Sequence, residues 1–98
     1  MLFRSIRIIL PQTLSLGQNY PNLFNPVTTI KYSLLQSGDV SLVIYNLLGE
    51  QVASVVDKHQ VKGDHQIAWN ASNFASGIYF YRLQASDFVQ TRKMVLLK

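Results

Sequence analysis

From Thr29 onward the chain alternates. Ile30, Tyr32 and Leu34 fall on one side, Thr29, Lys31 and Ser33 on the other. A period of two is the geometry of a half-buried β-strand, because successive side chains point to opposite faces. The pattern returns at Val40, Leu42 and Ile44 and again at Tyr79, Tyr81 and Leu83. Blocks of Gly, Asn, Asp, Ser or Pro separate the runs. A chain built this way makes short strands joined by turns. The block before the first run, Gln18 to Pro26, is rich in Asn and Pro. Pro21 and Pro26 fix their own φ and bias Tyr20 and Asn25 towards extended backbone. Asn19, Asn22 and Asn25 are placed to bond back to the local main chain, as turn residues do.

The runs after Leu34 can be read in order. Ser37-Gly38-Asp39 reads as a tight turn, with Gly38 accepting positive φ. Val40 to Tyr45 reads as a strand whose second face, Ser41, Val43 and Tyr45, is unusually apolar. Asn46 to Gly49 turns the chain. Gln51 to Val56 is a less regular strand, since Val52 and Val55 cannot both point inward without a bulge or bend. Asp57 to Asp64 reads as a polar loop. A fourth strand carries His65, Ile67 and Trp69 on one face. Asn70 to Ser76 is too long for a tight hairpin and is expected to cross between sheets, with one helical turn around Asn73 to Ala75. Gly77 opens a fifth strand, Ser86-Asp87-Phe88 turns, and the last strand is expected over Val89 to Lys98. The reading is an all-β fold, an immunoglobulin-like two-sheet antiparallel sandwich of about seven short strands. Its expected core is Ile30, Leu42, Ile44, Trp69, Tyr79, Tyr81 and Met94, each worth about 1.5–3 kcal/mol when buried.

Size and composition agree. Ninety-eight residues suit one domain, and a hydrophobic share of 48% with only 14% charged residues argues against disorder. A chain of this length hides roughly two-thirds of its unfolded surface. It has no cysteine, which removes disulfides and thiolate metal sites. The formal net charge is +4. The basic residues are scattered or near the termini, with no basic helix and no aromatic-basic interleaving, so nucleic acid is not the expected partner. A modest positive surface could still favour an anionic one through screened attraction. Residues 1–17 read as an N-terminal extension or linker remnant, and 18–98 as the domain. Arg4 and Arg7 interrupt the apolar start and Pro11 follows, so no signal-peptide h-region is formed and no membrane span is present. Two accounts fit this segment. It is the junction of a tail separated from a longer precursor, the preferred one, or a short first strand or linker.

No catalytic constellation emerges. His59 and His65 lack cysteines or paired acids at ligand spacing, so neither a metal nor another cofactor is expected. The many serines have no strand-turn-helix elbow to activate one. The five acids are lone turn residues, unlike a glycosidase pair. Tyr79-Phe80-Tyr81 reads first as a core-filling strand rather than a sugar platform. Phe80 stands apart: with Ile78, Val43, Tyr45, Val95 and Leu97 it would form an apolar patch of the kind that marks partner surfaces. The bland alternative is that the N-terminal segment or an attached domain covers it. Lys93 to Lys98 reads as an edge strand whose lysines discourage pairing, although an open edge also invites strand addition by a partner.

Three blocks carry a resemblance. Asn19-Tyr20-Pro21-Asn22-Leu23-Phe24-Asn25-Pro26 leads into Thr28-Thr29-Ile30, Ala75-Ser76-Gly77-Ile78-Tyr79-Phe80-Tyr81-Arg82-Leu83 follows, and Arg92-Lys93-Met94-Val95-Leu96-Leu97-Lys98 ends the chain. In this order they resemble the type A C-terminal sorting domain of the type IX (Por) secretion system, over Pro11 to Lys98. Leu23 stands where that family usually has proline. The resemblance implies an immunoglobulin-like sandwich related to the flagellar hook-capping domain, with a hairpin at Asn46 to Gly49 and Gly49 at positive φ. It implies a non-catalytic signal that takes an N-terminal cargo, after export to the periplasm, across the outer membrane. The implied partners are the type IX outer-membrane translocon and its sortase-like peptidase, and the implied destination is the medium or the cell surface. Carried over by motif, Gly77 and Tyr79 set the fold, while Lys93 and Lys98 form the recognised end. The alternatives are a stand-alone immunoglobulin-like adhesion or scaffold module and, less favoured, a carbohydrate-binding module.

Overall fold

The computed structural model describes residues 15–86 and 88–98. Residues 1–14 of the expected 1–17 extension, and Asp87 in the final turn, lie outside the described residues; Ser15 and Leu16, read as extension, form a strand that pairs with the domain. Among the described residues eight strands follow one another: β1 (Ser15–Leu16), β2 (Leu23–Phe24), β3 (Val27–Leu34), β4 (Gly38–Asn46), β5 (Gln51–Gln60), β6 (Gly63–Asn70), β7 (Gly77–Ala85) and β8 (Phe88–Leu96). They build two sheets, β1-β3-β6 and β2-β8-β7-β4-β5. The inner faces share one apolar cluster, so the all-β expectation and its two packed layers hold.

Alternation does the local work. β3 reads exposed-buried along its length, and Ile30, Tyr32 and Leu34 are all buried. On β7 the buried positions are Tyr79, Tyr81, Leu83 and Ala85. Leu42, Ile44, Trp69 and Met94 are buried with them. Trp69 is the aromatic hub, with ring centroids 5.3 Å from Phe74, 5.9 Å from Tyr79 and 6.1 Å from Phe24. Offset and tilted aromatic contacts of this kind add about 0.5–1.5 kcal/mol each beyond area burial.

The β5 irregularity is where the sequence places it. Leu42 pairs with Val56 but Val43 pairs with Ser54, so Val55 is an extra residue; Ile44 pairs with Ala53 and Tyr45 with Gln51, so Val52 is another. Two bulges let both valines turn towards the core. The β4–β5 hairpin closes with the Gly49 N–H on the Asn46 carbonyl at 3.0 Å and Gly49 at φ 84°. Asn70 to Ser76 does carry the chain from one sheet to the other.

Several readings are corrected. The sandwich is not wholly antiparallel: β2 runs parallel to β8, with Leu23 opposite Val95 and Phe24 opposite Leu96. Two dipeptide strands, β1 and β2, raise the count to eight; two residues are too few to show a period. The connection after β3 is Leu35 to Ser37, and it crosses between sheets rather than folding a hairpin. Gly38 is already on β4 and has no positive φ. The polar stretch Asp57 to Gln60 is strand, because its main chain pairs with Gly38 to Ser41 whatever its side chains are. Around Asn73 there is a turn, with the Phe74 N–H on the Ala71 carbonyl at 3.0 Å, and no helix. The last strand ends at Leu96.

Candidate functional site at the C-terminal strand

The three sequence blocks meet at one end of the five-stranded sheet. β7 and β8 pair from Gly77 opposite Leu96 to Ala85 opposite Phe88. Gly77 has φ 151°, a backbone region that side chains with a Cβ rarely adopt, so the strand can start here only from glycine. Two residues on, Tyr79 turns inward onto Trp69 and Phe74, and its hydroxyl donates to the Ala75 carbonyl at 2.7 Å.

The Asn/Pro block grips the outer side of β8. The Val95 N–H donates to the Asn22 carbonyl at 3.2 Å and the Leu97 N–H to the Phe24 carbonyl at 2.9 Å. The Gln18 amide donates to the Lys93 carbonyl at 2.9 Å, and the Arg92 Nε to the Leu16 carbonyl at 2.6 Å. Underneath lies a buried polar network that the sequence reading did not contain. Asn19 and Thr28 are each 1% exposed. The Asn19 side-chain N–H donates to the Pro21 carbonyl and to the Thr28 hydroxyl, both at 2.9 Å, and Thr28 donates to the same carbonyl at 2.8 Å. The Asn19 main-chain N–H donates to the Tyr81 hydroxyl at 2.8 Å, which donates in turn to the Gly17 carbonyl at 2.7 Å. Burial pushes the Tyr81 hydroxyl pKa above its ordinary value, against the opposing pull of the Asn19 N–H and the Arg92 charge. Asn19 is the local turn former that its sequence position predicts. Its long-range partner on β7 carries no signal in the sequence.

The four motif residues occupy this region without forming a single point. Tyr79 faces inward and Lys93, opposite Phe80, faces outward. The Lys98 Nζ donates to the Ser72 carbonyl at 2.6 Å and its main-chain N–H to Ser76 Oγ at 2.9 Å. The two lysines are five residues apart, about 16 Å along an extended chain. Lys98 therefore anchors the terminus to the β6–β7 crossing, and Lys93 stands on the outer sheet surface.

That outer surface gathers the apolar residues singled out from the sequence. Ile78 lies opposite Val95, and Phe80 lies between Tyr45 and Lys93. Arg82 sits opposite Val43 and stacks its guanidinium 4.9 Å from the Tyr45 ring centre. Leu97 is exposed, Ile78, Phe80, Tyr45 and Val95 are half-buried, and Val43 is covered by its neighbours.

The histidines lie apart from this end. His59 on β5 faces Asp39 at 3.6 Å on an exposed surface, and His65 on β6 stacks on Tyr32 at 5.4 Å. Among the described residues no three His, Cys, Asp or Glu side chains converge. A shallow groove over the three-stranded sheet is lined by Ser15, Lys31, Ser33, Asp64 and His65, and does not include His59. No helix among the described residues is long and apolar enough to cross a membrane, which says nothing of a β-barrel.

Comparison with curated proteins gives no match. A family model described as the secretion system C-terminal sorting domain matches residues 18–97, from the Gln18 that reaches β8 to the Leu97 bonded to β2. The chain therefore belongs to the family of C-terminal sorting domains of the type IX (Por) secretion system.

Proposed function

We propose that this domain is read by the type IX machinery so that a cargo joined to its N-terminus crosses the outer membrane. The family match over residues 18–97 carries the reading. The translocon and its sortase-like peptidase are the partners, and the cargo ends in the medium or on the cell surface. Gly77 and Tyr79 support the fold of the recognised end. Lys93 and Lys98 present charge there, Lys93 from the outer sheet and Lys98 from the terminus. The reading involves no reaction catalysed by the domain.

The test joins the 98-residue chain to a reporter behind a signal peptide, in a bacterium that has the machinery. Removing Lys93 to Lys98 would be a poor control, since it also removes the buried Met94 and Leu96 from the core. The double change Lys93→Glu with Lys98→Glu leaves the core alone. Delivery of the wild-type fusion, and its loss in this variant with melting nearly unchanged, is the expected result. Periplasmic retention of the intact, folded wild-type fusion would sink the proposal.

A further inference from the structure

We propose that the free edge of β6 is a strand-addition site, and that its occupant is an extended, neutral segment of a protein of the export machinery. This rests on the sorting reading above.

The direction of the main-chain groups can be worked out from the ladder. Thr29 exchanges both its N–H and its C=O with Tyr20, and the Lys31 carbonyl accepts from Gly17, so these residues face β1. In an antiparallel strand the next residues face the other way. Thr28, Ile30, Tyr32 and Leu34 therefore face β6, where their partners are Trp69, Ile67, His65 and Gly63. The Ala71 N–H on the Pro26 carbonyl at 2.9 Å continues the same parity. It follows that Asp64, Gln66, Ala68 and Asn70 turn their N–H and C=O groups away from β3, and among the described residues β6 is the last strand of its sheet. That is an unbroken row of four donor–acceptor pairs.

The other edges are interrupted or short: ahead of Lys93 the outer side of β8 is open only over residues 88–92. β5 carries two bulges, a standard defence against pairing. β8 is taken by β2, Gln18 and the Asn22 carbonyl from Lys93 onward. β6 has an unshifted register over all eight residues, no proline and no lysine. Its outward side chains are small or neutral apart from Asp64, so a neighbour can approach closely. The inner side is unfinished as well. β1 touches β8, so β6 and β5 end their sheets on the opposite side. There, three strands face five, and Ile67, Val52 and Val55 pack on the core only half-buried. An added strand with apolar residues at alternate positions would cover them. A second copy of the chain fits less well, since each brings its own net charge of +4. A neutral segment meets no such repulsion, nor the like charge that an acidic one would meet at Asp64.

The test measures hydrogen exchange residue by residue on the full chain, alone and with detergent-solubilised type IX translocon. In the free protein the Gln66 and Ala68 amides should exchange fast while Ile67 and Trp69 are protected. Added translocon should slow Gln66 and Ala68 by at least about tenfold. The Gln66→Pro variant removes an outward N–H that no ladder bond uses, a position where an edge strand tolerates proline, and should nearly keep its melting temperature while losing translocon binding; Ile67→Pro should fail to fold. Amides of Gln66 and Ala68 already protected in the free protein, or protected only as chain concentration rises, would show that the chain itself fills this edge and would overturn the proposal. So would translocon binding with their exchange unchanged, or undiminished by Gln66→Pro. No binding of wild-type protein at all would defeat the sorting reading and this inference together.

Discussion

Trp69 shows how much one side chain carries. It touches Phe24, Phe74 and Tyr79, which belong to β2, the sheet crossing and β7. Trp69→Ala should lower the unfolding free energy by about 3–5 kcal/mol, read from denaturant titration. The Tyr81 hydroxyl acts differently. It holds both the Asn19 N–H and the Gly17 carbonyl, so Tyr81→Phe strands one buried and one partly buried group and should cost about 1–3 kcal/mol. Burial raises the pKa of Tyr81, and of Tyr32 despite its bond to Gln60. A tyrosine whose folded pKa lies above the unfolded value of about 10 holds its proton more firmly when folded. Its contribution is therefore complete below about pH 10 and is lost as pH rises through the folded value. Melting temperature should fall above that pH, and less steeply in Tyr81→Phe. An equal slope in both would assign the alkaline loss elsewhere.

Among the elements, β5 shows what a bulge does. Val55 is the residue without a partner between Val56 and Ser54. Deleting it would leave those pairs aligned and the ladder straighter. The shortened chain should still fold, but its outermost edge would lose one of its two defences. Light scattering should then show more self-association than wild type at equal concentration. An unfolded deletion product would mean that Val55 packing outweighs ladder continuity. The long elements were legible because each repeats its period several times; the bulges were legible because Val52 and Val55 break it. β1 and β2 were not, because a two-residue strand exists only through its partner.

At the level of the whole molecule, both ends of the described chain close on each other. Leu16 is 1% exposed, and its carbonyl and that of Gly17 take the Arg92 Nε and the Tyr81 hydroxyl. A chain begun at Gln18, where the family match starts, would lose these contacts. Beside a chain begun at Ser15 it should melt at least about 8 °C lower, since each kcal/mol shifts a domain of this size by roughly 4–8 °C and losing a buried leucine costs about 2–5 kcal/mol. Equal melting temperatures would mean that β1 is dispensable.

The sequence alone determined that the chain is a stack of short strands, which residues fill its interior, and which family its three blocks resemble. Those properties rest on local periodicity and on residue types, and both are written along the chain. The tertiary structure decided which strands become edges, that β2 lies parallel to β8, and that Asn19 reaches Tyr81 across 62 positions. Such pairings join distant segments through main-chain groups that every residue possesses, so no side-chain pattern records them.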